Sequence, residues 1–100
     1  MEACSRFGSL KPCEIIMYYV YVLKSKKDGN FYVGCTGNLR KRLSEHSDGN
    51  VRSTRYRTPF ELIYYEASRN NIDAWHREKY LKTTYGKRYL KNRLKGDILT

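Results

Sequence analysis

Arg42 and His46 stand four residues apart in the run LRKRLSEHS. That spacing places both on one face of a helix, one turn apart, where they can address a single anionic group. Arginine suits phosphate because its planar guanidinium donates two parallel hydrogen bonds. The same spacing also describes a solvated basic face, with His46 near a helix C-terminus where the dipole favours a cation. Glu78 stands out for another reason. With Ala74, Leu81 and Tyr85 it follows i, i+4, i+7, i+11 spacing, which puts a carboxylate on the inward stripe of a helix. An acid there is paired, faces a wet cleft or holds a cation, and an ordinary i, i+4 pair with Lys82 would also satisfy it. Tyr21 and Tyr32 lie in two neighbouring β-rich runs and can project from one sheet face, although cross-strand ring packing accounts for them equally.

The elements that must position these groups follow from pattern and punctuation. MYYVYVL, Met17 to Leu23, is apolar in both alternating phases and predicts a strand covered on both faces. Asp28 and Gly29 reverse the chain into a short second strand, FYVG, to give a hairpin. Gly34 and Gly37 are then expected to let the chain turn tightly into a helix. Asn38 is its N-cap, Leu39 and Leu43 face inward, and Gly49 closes it beyond Ser47. NVRSTRYRTP is a polar, basic surface connection. FELIYYE, Phe60 to Glu66, is a third strand. A helix is expected from Asn71 to about Tyr85, and a shorter basic helix beyond Gly86. The order ββαβαα predicts an α+β fold, a small three-stranded sheet flanked by helices.

A chain of 100 residues supports one compact domain. Residues 1–16 are expected to be a loosely held extension, 17–95 the domain and 96–100 a tail. Twenty Lys and Arg against ten Asp and Glu give a net charge of +10, a field that attracts polyanions, nucleic acid before an acidic membrane surface. Arg52, Arg55 and Arg57 in the connection, with Lys82, Lys87, Arg88 and Lys91 in the last third, are the candidate phosphate-backbone contacts. Such contacts confer affinity and salt dependence without sequence preference. Cys4, Cys13 and Cys35 have neither disulfide-framework nor zinc-site spacing, so a reducing cytoplasm is expected. The first sixteen residues lack the pattern of a secretory signal, and no run approaches a membrane span.

Taken in order, YVY at Tyr19 to Tyr21, YVG at Tyr32 to Gly34, Arg42, His46 and WHREKYLK at Trp75 to Lys82 resemble the GIY-YIG nuclease domain, in particular its small stand-alone bacterial-type members. The similarity spans Met17 to about Leu94. It implies an antiparallel three-stranded sheet and phosphodiester cleavage with one divalent ion, Mg²⁺ or Mn²⁺. Carried over position by position, it places the motif tyrosines at Tyr21 and Tyr32 and the motif glycine at Gly34. The helical arginine falls on Arg42, its companion on His46, the metal-binding glutamate on Glu78 and a downstream asparagine on Asn92. It further implies Tyr21 as general base, assisted by Tyr32 and His46, and a nucleic-acid substrate, DNA before RNA; with one domain and no separate recognition domain, single-stranded or structured DNA is expected. Tyr19 replaces the first motif's glycine, and Cys35 stands where a small hydroxyl residue is usual. Two other classes fit the same basic chain: a nucleic-acid-binding module without turnover, and an interaction protein with an acidic protein partner.

Overall fold

The computed structural model describes residues 16–99; almost all of the leading extension, with Cys4 and Cys13, lies outside them. The elements run β1 (Tyr18–Ser25), β2 (Phe31–Thr36), α1 (Leu39–Ser47), a single 3-10 turn (Arg55–Arg57), β3 (Phe60–Ser68), α2 (Asn71–Leu81), α3 (Thr84–Arg93) and the short α4 (Lys95–Leu99). The three strands form one antiparallel sheet in the order β2-β1-β3. β1 is the central strand. Its run of β-branched, aromatic and aliphatic residues suits that place, since Val20, Tyr21, Val22 and Leu23 are all buried and both phases are covered, as the sequence predicts.

One phase carries the main core. Val20, Val22 and Val33 meet Ala74, Leu81, Leu90 and Leu94, with Phe31, Cys35 and Tyr64 packed at the margins. Burying a large aliphatic side chain contributes about 1.5–3 kcal/mol, so α2 and α3 are held to the sheet chiefly by Leu81 and Leu90, both essentially inaccessible. The other phase, with Tyr21 and Leu23, faces α1. There His46 and Leu43 approach Leu23, Phe60 and Leu62 around a cavity of about 190 Å³. Asn38 caps α1 by accepting from the Lys41 amide, and Gly49, at φ 76°, follows the helix end, both as expected.

The carboxyl-terminal third departs from the sequence reading. α2 stops at Leu81, and Thr83 starts α3 by accepting from the Gly86 amide at 3.2 Å. The hydroxyl cap competes with helix continuation, and the break turns Leu90 and Leu94 back onto the sheet. Gly86 therefore lies inside α3 and does not end α2. It is buried against the last turn of α2, where an added Cβ would overlap the Tyr80 carbonyl and the Leu81 Cα. Tyr85, placed by periodicity on the inward stripe, is 69% exposed because that stripe ends with the helix. α4 crosses the expected boundary at residue 95, and the Lys24 ammonium donates to the Asp97 carbonyl at 2.6 Å. Among the described residues no helix is long and apolar enough to cross a membrane.

Candidate active site

Tyr21 lies at the centre of β1, directly opposite Gly34 on β2. Its ring lies over that glycine, and a Cβ on Gly34 would overlap the Tyr21 hydroxyl. Gly34 is thus a slot through which the phenol crosses an edge strand. This corrects the expected turning role: Gly34 sits within β2, and among the described residues only Gly29 and Gly49 take left-handed backbone.

The Tyr21 hydroxyl lies 2.9 Å from His46 Nε2, and His46 Nδ1 lies 2.8 Å from Thr54 Oγ1. The Thr54 hydroxyl in turn donates to the Val51 carbonyl at 3.5 Å. That contact leaves Thr54 Oγ1 able to accept, which suits an imidazole with Nδ1 as donor and Nε2 as acceptor from the phenol. Burial, reinforced by the Arg42 charge, holds the imidazole below its ordinary pKa and so favours this neutral form. His46 and Thr54 are both almost fully buried. The alternative of a solvated helix-end histidine is therefore corrected: an α1 residue that presents only half-buried leucines inward presents its histidine more deeply than either.

Arg42, one turn earlier, pairs with Glu45 at 3.0 Å and also acts on the Tyr21 hydroxyl by hydrogen bonding and charge. The Tyr21 phenol is pushed up to about 12: burial dominates, Arg42 opposes it, and the neighbouring Tyr32 and Glu78 add to the rise. Tyr32 closes the group, its ring centroid 5.3 Å from His46 and 6.4 Å from Tyr21, with its hydroxyl accepting from Ser53 at 3.5 Å.

Glu78, on α2, acts on the same group through its charge and makes no hydrogen bond into it. Its charge acts on Tyr21 and also on Cys35, a half-buried free thiol raised above its ordinary pKa first by burial and then by Glu78. The carboxylate is 18% exposed and pairs with Lys82 at 3.1 Å, so the ordinary helical pair and the place near Tyr21 hold together. Among the described residues no three His, Cys, Asp or Glu side chains cluster as a ready cage. A single accessible carboxylate fits an ion such as Mg²⁺, which keeps several waters and takes further ligands from substrate phosphate.

The basic candidates divide. Arg52 and Arg55 are exposed beside the Thr54 turn, whereas Arg57 is committed to Asp28 at 3.1 Å and stacks over Phe60. Lys82, Lys87 and Lys91 border a cleft of about 560 Å³ that Tyr32 also lines. Arg88 lies instead over the exposed Tyr85 ring, and Asn92 is exposed on α3, without a hydrogen bond into the Tyr21 group. Sequence reasoning missed Thr54, Ser53 and Glu45. Thr54 sits in an unpatterned polar connection and carries no periodic signal; Glu45, i+3 from Arg42, had the spacing of a helical pair that could have revealed it.

The GIY-YIG catalytic domain model matches residues 17–93. A UPF0213 protein of Clostridium perfringens is 45% identical over 67 residues, covering 66% of this chain and 71% of its own length. A UPF0213 protein of Natronomonas pharaonis is 40% identical over 81 residues, covering 80% and 92%. The solution NMR structure of a UPF0213 protein from Bacillus halodurans superposes with a TM-score of 0.52 at 30% identity, covering 85% of this chain and 95% of the other. The sheet, the two motif tyrosines on adjacent strands and these similarities agree: the chain belongs to the GIY-YIG family, a nuclease superfamily, alongside small UPF0213 proteins.

Proposed function

We propose that the protein is a metal-dependent endonuclease that hydrolyses phosphodiester bonds in DNA, single-stranded or structured, with residues 17–95 as the working domain. The observation that carries the reading is the directed hydrogen-bond chain from the buried Tyr21 hydroxyl through His46 to Thr54, with Arg42 and the charge of Glu78 converging on the same phenol. A purely structural tyrosine needs one partner; this one has a proton acceptor, a cation and an anion arranged around it.

Glu78 would hold one divalent cation, which when bound supplies Lewis-acid stabilisation of the phosphate charge. Tyr21 takes the proton of the attacking water as its own phenolic proton passes to His46 Nε2. Thr54 keeps the imidazole oriented so that Nε2 can receive it. Arg42 stabilises the charge that develops on the phosphoryl oxygens, and Tyr32 packs the imidazole and phenol in place. A phenol held at about 12 stays protonated at neutral pH, so its proton must leave as the water's proton arrives.

Labelled single-stranded, duplex and branched DNA, and RNA, incubated with the pure protein and its Tyr21→Phe and Arg42→Ala variants, test the reading. The expected outcome is cleavage of DNA by the wild-type chain and a loss of at least about a hundredfold in either variant. Binding of DNA without cleavage under any metal condition would assign the chain instead to a non-catalytic nucleic-acid-binding module.

A further inference from the structure

The cleft between β2 and α3 has a composition that the hydrolytic group does not require. Its floor is apolar and already part of the core: Val33, Leu81 and Leu90 are all buried. Phe31, half-buried, forms one wall, and Tyr32 on the opposite side of the β2 pleat borders the cleft at the strand edge. Lys87 and Lys91, one helical turn apart on α3, are exposed at the rim and have no ion-pair partner among the described residues. Tyr32 belongs to both places, since its ring also packs against His46 at 5.3 Å. The cleft therefore shares an edge-strand residue with the Tyr21 group.

A surface that only tracks a phosphate backbone needs cations and polar donors and has no use for an apolar recess. A recess of about 560 Å³ lies within the range of roughly 300–1,000 Å³ that encloses one small organic ligand. Aromatic wall, aliphatic floor and two unpaired ammonium groups are complementary to one unstacked base with its flanking phosphate. A base that is paired and stacked in a duplex presents only its edges and cannot enter such a recess.

Resting on the nuclease reading above, we infer that this cleft is a subsite for one unpaired nucleotide adjacent to the scissile phosphate, with the half-buried Phe31 ring contacting the base and Lys87 and Lys91 the phosphate. The subsite selects single-stranded segments or flaps by requiring that a base leave its stack. Lys82, at the end of the cleft nearest Glu78, ties the two sites together.

The test is an NMR titration of the full chain, in chelator so that no cleavage occurs, with a short thymidine oligonucleotide and with an abasic oligonucleotide of the same length and charge. The thymidine strand is expected to shift the amides of Asn30, Val33 and Leu90 and to bind about tenfold more tightly than the abasic one. Lys87→Gln together with Lys91→Gln should weaken the thymidine strand while leaving the Tyr21 and His46 resonances in place. Equal affinity for the abasic strand, or shifts confined to the Arg52 and Arg55 connection, would overturn the subsite. Cleavage assays separate the two readings: base-dependent shifts at the cleft without any turnover would leave the subsite standing and remove the nuclease, and turnover without those shifts would do the reverse.

Discussion

Tyr21 and Gly34 depend on each other, because the phenol occupies the space where any other residue's Cβ would stand. Gly34→Ala is expected to expel the ring from its slot, costing about 1–3 kcal/mol in denaturant unfolding and reducing cleavage as far as Tyr21→Phe does. A Gly34→Ala variant with wild-type stability and rate would show that the ring has other room. The pH dependence follows from the same burial. The Tyr21 folded-state pKa of about 12 lies above its ordinary 10.0, so its contribution is fully present below pH 10 and is lost as pH rises through 12. That loss amounts to roughly 2–3 kcal/mol and should be steeper in the wild-type chain than in Tyr21→Phe, as read by urea midpoints across that range. His46 runs the other way: its lowered folded pKa gives stability present above 6.5 and lost as pH falls below it. The residue types of this group were legible in the sequence, because arginine, histidine and tyrosine at motif spacing are distinctive. Thr54 was not, since a threonine in a polar connection looks the same whether its hydroxyl meets water or an imidazole.

Three strands and the first helix were readable because each has a pattern and a stop: a run apolar in both phases in β1, Asp28-Gly29 in the hairpin, Asn38 and Gly49 around α1. The α2–α3 corner was not, because Thr83-Thr84 is neither a glycine nor a proline signal, and the apolar spacing continues past it to Tyr85. What ends α2 is local capping combined with a tertiary demand, the return of Leu90 and Leu94 to the sheet. Thr83→Ala should therefore cost about 1 kcal/mol of stability without changing the Tyr21 group. An unchanged thermal midpoint would mean that packing at Gly86 alone fixes the corner. β2, as an edge strand, gains a role from its place: it brings the Tyr32 ring to the Tyr21 group on one side of its pleat and Phe31 and Val33 to the cleft on the other.

The molecule as a whole sets a sheet between α1, which carries Arg42 and His46, and α2, which carries Glu78, and the Tyr21 phenol, lying over Gly34, feels the charges of both Arg42 and Glu78. The net charge of +10 favours polyanions in general, but charge alone does not cut one. The decisive comparison is metal-dependent cleavage of labelled single-stranded and branched DNA by the wild-type chain and Glu78→Gln, with DNA affinity measured on both. The account predicts turnover by the wild-type chain in Mg²⁺ or Mn²⁺ and none in chelator, while Glu78→Gln keeps the fold and the affinity and loses cleavage by at least about a hundredfold. Cleavage by Glu78→Gln at the wild-type rate, or by the wild-type chain in chelator, would contradict it.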